Sequence, residues 1–327
     1  MLLGLATIMA LCLAQPVHAG TSAAPRHSKT SHGHGHGSGG GSSGGGSFYA
    51  TVTNVTQLIG DINYADQVGG TYTIYLLPNT TFVGGLPAIG GTKTVNLTIV
   101  GNGDTIDGAN QSRLFTVSPG SSLTLDQVTL QNGYVYANYG GAIYNSGMLT
   151  ISNCILSGNT SVDRSDYLSA LRGVGGAIFN NGGKVVIDNS VLSGNLSTGA
   201  NPMGGAIYNA AGTVKVSNST FTDNHAADTV LGIDVDPEYP QSGEGGAIFN
   251  AAGTVTISHS NLTGNYAAYE GGGICNGFFY YSGGTVTVEN SSYISGNTVD
   301  DVQNSGTLYL QGGSTIGILD GNLAVPF

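Results

Sequence analysis

The feature that most constrains this chain is a short glycine-led repeat. Gly-Gly-Ala-Ile at 140–143 recurs at 175–178, 204–207 and 245–248 and, as Gly-Gly-Gly-Ile, at 271–274, each followed two residues later by Asn145, Asn180, Asn209, Asn250 or Asn276. A second unit follows each at 149–159, 185–195, 214–224, 255–265 and 286–297. In these units Val214 and Val216, Val255 and Ile257, and Val286 and Val288 alternate with polar residues, the period of a strand with one buried face. So short a unit cannot close a core alone and must stack on its neighbours. The repeat isoleucine advances by 35, 29, 41 and 26 residues from Ile143 to Ile274. Register between stacked strands must be kept, so the extra residues are loops on a constant coil. The expected fold is all-β, a right-handed single-stranded parallel β-helix of about nine rungs, ~40 Å long at one strand spacing per rung.

The ends of the chain read differently. Residues 1–19 carry an apolar run from Leu2 to Ala14 and then Val17-His18-Ala19, the pattern of a cleaved signal peptide, which implies a secreted protein in the extracellular space or at the cell surface. Residues 20–47, rich in Gly, Ser and His (His27, His32, His34, His36), cannot bury enough apolar surface to order themselves and read as a disordered linker. The β-helix then occupies 48–327, with 48–92 as N-terminal cap and first strand, 93–297 as repeat coils and 298–327 as a C-terminal rung. Val55, Leu58, Ile59 and Ile62 share one helical face behind Asn54, a good N-cap, and predict a cap helix over the open end; Tyr72 to Leu77 alternates as the first strand.

Charge excludes some partners. The 327 residues carry a formal net charge of −11, so no basic surface for nucleic acid can form, and no apolar run after the leader has the ~20 residues of a membrane helix. Cys154 and Cys275 lie four repeats apart, roughly 19 Å at the strand spacing, and are expected as buried free thiols. Nothing in the pattern demands an oligomer, and a monomer is expected. Asn153, Asn189, Asn218, His259 and Asn290 share one corner and are expected to bond from rung to rung as a ladder; Asn159, Asn195, Asn224, Asn265 and Asn297 mark the next corner.

The Gly-Gly-Ala-Ile units, together with Phe221-Thr222-Asp223-Asn224, resemble the repeats of polymorphic outer membrane proteins within the pectin-lyase-like β-helix superfamily. Only one coil keeps the Phe; Leu156, Leu192, Leu262 and Ile294 stand in the others. After Asn297 only 30 residues remain, too few for the membrane barrel such autotransporters carry. The resemblance therefore implies an adhesin-like module without its own translocator.

Catalytic signals in the coil are sparse. Asp300-Asp301 stands without partners of the hydrolase type, and Asp188 and Glu289 occupy equivalent positions three rungs apart, too far to share an ion. Asp104 and Asp107 read as turn residues. Tyr144, Phe179, Tyr208 and Phe249 form a column, continued by Cys275, that reads as packing more readily than as a sugar platform; Tyr134, Tyr136 and Tyr139 and residues 278–281 read as loop aromatics suited to glycan contact. The long insertions at 160–174 and 225–244 leave one corner two rungs apart, with the short connection 196–203 between them, a cleft ~10 Å wide. Asp163, Arg164, Asp166, Tyr167 and Arg172 on one wall, and Asp228 and Tyr239 on the other, are the candidate ligand-binding residues; Asp234, Asp236 and Glu238 are the candidate Ca²⁺ ligands. No cofactor is required beyond such a Ca²⁺. The expected function is a secreted, non-catalytic surface or adhesion protein that binds a polysaccharide or cell-surface glycan through its corner loops. The alternative is a polysaccharide-active enzyme, a pectate-lyase-like Ca²⁺-dependent lyase.

Overall fold

Each strand buries every second side chain. In Thr254–Ser258, Val255 and Ile257 are buried while Thr254, Thr256 and Ser258 face outward. The strand directly below, Thr285–Glu289, and the stretch above, Thr213 to Ser217, repeat the pattern in parallel register, Val214 against Val255 against Val286. The computed structural model describes residues 47–78, 81–163, 173–199, 201–227, 243–277 and 282–321. They lie in one unit, Gly45–Phe327, which is a right-handed parallel β-helix. The expected signal peptide and most of the linker lie outside the described residues.

Three sheets wrap the core. The long sheet stacks Ser47–Val52, Gly70–Leu76, Val95–Val100, Ser122–Asp126, Met148–Ser152, Ile178–Asp188, Ile207–Ser217, Thr254–Ser258, Thr285–Glu289 and Thr307–Leu310. A nine-stranded sheet runs from Thr81–Val83 to Thr315–Ile316, and a five-stranded sheet from Tyr134–Tyr136 to Tyr266–Ala267. The nine strands match the expected number of rungs. Tyr134 and Tyr136 therefore belong to a strand and not to a loop.

The cap helix spans Val55–Val68. Asn54 is its N-cap, accepting from the Gln57 N–H at 3.0 Å, and Gly69 at φ 78° ends it by donating its N–H to the Ala65 carbonyl. Leu58, Ile62 and Ala65 are buried in the same core as Ile74 and Leu76. Val55 and Ile59, expected on that face, are only half-buried. One strand escaped the sequence: Ser47–Val52 precedes the helix and pairs in parallel with Gly70–Leu76, so the run at Tyr72 is the second strand of the sheet. The six residues follow a Gly/Ser tract directly and carry no repeat marker.

The two glycines of each repeat are needed for different reasons. The first, at 140, 175, 204, 245 and 271, has φ between 65 and 70°, a region costly for residues with a Cβ. At the second, a Cβ would be driven into backbone of the next rung: that of Gly176 into the Gly205 carbonyl, that of Gly205 into the Gly246 carbonyl. Only glycine lets the turn stack this closely.

Asparagine does the equivalent work with hydrogen bonds. Asn145, Asn180, Asn209, Asn250, Asn276 and Asn304 form a buried column in which each Nδ2 donates to the Oδ1 of the next, at 2.7 to 2.8 Å. Asn159, Asn195, Asn224, Asn265 and Asn297 form a second, in which each Oδ1 accepts both the backbone N–H and the Nδ2 of the residue above. This column ends on Asp301, whose Oδ1 accepts from Asn297 N and Nδ2 and whose Oδ2 accepts from Ile318 N. Asp301 is 2% exposed and its carboxylate is taken up in structure: an acceptor-only residue closes a chain of donors.

The corner expected to carry the ladder does not. Asn153, Asn189, Asn218, His259 and Asn290 are exposed and adopt φ of 46 to 56°. Of their amides only Asn189 donates to its predecessor, at 2.6 Å to Asn153; Asn153 bonds to Asp126, Asn218 to Asp188 and Asn290 to Ser258. These asparagines are selected by left-handed backbone, which Asn tolerates, and not by stacking. Beside them runs a buried serine column in which the N–H groups of Cys154, Ser190, Ser219, Ser260 and Ser292 donate to Ser190, Ser219, Ser260, Ser292 and Ser314. Cys154 takes a serine's place there. Among the described residues, Cys154 and Cys275 are both buried and free.

Candidate functional site

The insertion-bearing corner is built on the five-stranded sheet. Thr160–Val162, Leu196–Thr198 and His225–Ala226 are stacked on consecutive rungs, so 160–162 and 225–226 are coil and the insertions proper are shorter than the sequence suggested. The chain re-enters the coil at Val174, Met203 and Glu244, which are bridged in parallel. The two insertions thus rise from positions two rungs apart, with the short connection through Met203 between them. Arg164, Asp166, Tyr167, Arg172, Asp228, Asp234, Asp236, Glu238 and Tyr239 lie outside the described residues. Asp163 is described, and it is fully buried, its N–H donating to the Thr198 carbonyl at 2.9 Å. It sits inside the coil at the foot of the insertion, not on a wall.

Beside this corner stands the aromatic column. Tyr144 and Phe179 rings are 5.3 Å apart, Phe179 and Tyr208 5.3 Å, and Tyr208 and Phe249 5.2 Å, with planes within 25° of parallel. Tyr139, expected in a loop, stacks on Phe179 at 4.8 Å. Phe179, Tyr208, Phe249 and Cys275 are buried in a second apolar cluster with Val174 and Met203, so this part of the column is packing, while Tyr139 and Tyr144 beside it are half-buried. Arg113 closes one end: its guanidinium lies 5.4 Å from the Tyr144 ring centre and donates to the carbonyls of Gly140 and Tyr139.

At the other end the same turn becomes acidic. Met203 is followed by Glu244 and Glu270 on successive rungs, and the Asp300 carboxylate accepts from the Gly271 N–H. Burial, reinforced by Asp300 and Asp320, pushes the Glu270 carboxyl up to about 7. Burial also raises Asp300, and burial with Glu244, Glu270 and Asp300 nearby raises the Cys275 thiol. Cys154, away from these acids, is raised to about 11 chiefly by burial. Neither thiol is prepared as a nucleophile. Among the described residues no group of three His, Cys, Asp or Glu side chains is placed to hold a metal ion. Tyr139, Val174, Met203, Glu244 and Glu270 each stand directly before the first marker glycine, a regular position whose residue type changes from coil to coil, which is why the sequence reading passed over the acidic stack.

Asp188 and Glu289 stand three strands apart on the outer face of the long sheet, with Ser217 and Ser258 between, as the spacing requires. Asp107 accepts from the Ala109 N–H at 2.7 Å and from Gln131 and Asn132, a turn residue tied to the next rung.

The model of the Chlamydia polymorphic membrane protein repeat matches residues 218–251. That segment is similar to one such repeat. It runs from the Asn218 corner through Phe221 and Asn224 of the buried ladder to the Gly-Gly-Ala-Ile-Phe-Asn turn at 245–250. It is also the coil that keeps Phe221, fully buried where the others have Leu or Ile. No curated protein and no solved structure matches the chain. Among the described residues no helix is long and apolar enough to cross a membrane.

Proposed function

We propose that this chain is a secreted, surface-associated and non-catalytic β-helix that binds glycans, an adhesin-like rod displaying loops. The observation that carries the reading is the stacking of Val174, Met203 and Glu244, which returns two long insertions to one face of an otherwise constant coil with a short connection between them. A rigid solenoid supporting variable loops is a recognition architecture, since loop residues add little to rung stacking and are free to diverge. The polymorphic membrane protein repeat supports placement at a cell surface. The acidic trio Asp234, Asp236 and Glu238 in the second insertion would take Ca²⁺, a hard cation that prefers carboxylate oxygens.

The test is a glycan array probed with the mature chain and with a variant in which 164–172 and 228–242 are each replaced by a short Gly/Ser linker. Glycan binding by the intact chain, lost in the variant at unchanged melting temperature, is the expected result. Intact binding in the variant would remove the insertions from the reading. Formation of unsaturated products from acidic polysaccharides in the presence of Ca²⁺ would replace it with a polysaccharide lyase.

A further inference from the structure

The corner between the long and the nine-stranded sheets carries a furrow that the repeat pattern does not need. It has a volume of about 290 Å³ and is lined by Asn102, Gln127 and Asn153 on consecutive rungs, with Val128, Thr129 and Ile155 behind them. The three amides stand on left-handed backbone at φ 51, 55 and 55°, all exposed. A primary amide has two donor hydrogens and two acceptor lone pairs. Asn102 commits one donor, to the Leu76 carbonyl at 3.2 Å; Gln127 reaches only the Asp126 carboxylate, at 3.5 Å, too long to satisfy it. Asn153 is more engaged, donating to Asp126 and accepting from Asn189. The furrow therefore presents unused donors and acceptors side by side, next to the aliphatic face of Ile155, which is 39% exposed.

We propose that this furrow is a binding subsite for a neutral glycan. Paired donors and acceptors next to an aliphatic surface suit a sugar, whose adjacent hydroxyls both donate and accept and whose ring carbons are apolar. No Lys, Arg or His lines the furrow and the Asp126 carboxylate flanks it, so sulfated or uronic glycans are disfavoured. The same exposed corner continues through Asn189, Asn218, His259 and Asn290, one position per ~4.8 Å rung, so an extended chain gains contacts along it that a monosaccharide does not. The inference rests on the glycan-binding reading above but puts the contact on the coil, away from the insertions.

The experiment uses an array of uncharged hexose and N-acetylhexosamine oligosaccharides alongside sulfated and uronic ones, probed with the mature chain and two variants. Asn102→Gly with Gln127→Gly removes both amides where the backbone favours glycine, so the coil is not strained. Ile155→Arg obstructs the furrow from an exposed position. Both variants are expected to bind neutral oligosaccharides roughly tenfold or more weakly, with an unchanged melting temperature, because two or more hydrogen bonds to the ligand are lost. If the mature chain binds neutral glycans and neither variant weakens them, the furrow is wrong while the adhesin reading stands. A preference for acidic glycans overturns the furrow in the same way. If the mature chain binds no glycan at all, both readings fall.

Discussion

Asparagine is used in two opposite ways six residues apart. Asn224 is fully buried, donating to Asn265 and to the Leu192 carbonyl while its Oδ1 accepts from Asn195 twice. Asn218, on the same coil, is exposed at φ 50° and makes one side-chain bond, to Asp188. Burial decides what each is worth: an amide removed from water must have every partner, so its neighbours depend on it, whereas a corner amide exchanges freely with solvent. The inner turn holds the coil together and the outer corner is left available for other work.

The turn glycines extend that contrast and give the largest expected effect. In Gly205→Ala the new Cβ meets the Gly246 carbonyl and the backbone of His225, none of which can give way without shifting a rung. It should cost about 3 kcal/mol or more in denaturant unfolding, the upper range of overpacking. Gly182, at φ 76°, has nothing within 4 Å of such a Cβ, and Gly182→Ala should cost only about 1 kcal/mol, from the left-handed backbone alone. Equal losses at the two sites would break the comparison.

What the sequence disclosed follows the same line. Periodicity and the glycine marker were enough for the coil, its rungs, the cap helix and the aromatic column, because each depends on side-chain volume recurring at fixed spacing. The two asparagine positions are equally regular, and spacing alone does not say which faces inward; the ladder was assigned to Asn153, Asn189 and Asn218 when it belongs to Asn159, Asn195 and Asn224. The furrow was illegible for another reason. Asn102 and Gln127 belong to the early coils, which lack the glycine marker, and only stacking brings them beside Asn153 and Ile155.

A smaller effect is expected from the acidic end of the turn. Glu270 holds its proton more tightly folded than unfolded, with its carboxyl raised from 4.5 to about 7 mainly by burial. Its contribution to stability is therefore full below pH ~4.5, declines as the unfolded chain ionises, and is gone once the folded carboxyl ionises near pH 7. Because the side chain is only half-buried, the change should be on the order of 1 kcal/mol after screening. Glu270→Gln should remove this slope in urea melts taken from pH 4.5 to 8 and leave the protein more stable than wild type at pH 8. An unchanged slope would mean that Glu270 ionises alike in both states.

The central claim, that buried asparagines hold the coil while corner asparagines do not, is tested most directly by urea unfolding of Asn224→Ala and Asn218→Gly side by side. Asn224→Ala strands the Asn195 N–H and Nδ2 and the Leu192 carbonyl and should lose about 3 kcal/mol, whereas Asn218→Gly should stay within about 0.5 kcal/mol of wild type. Comparable losses in the two variants, or the larger loss at Asn218, would contradict it.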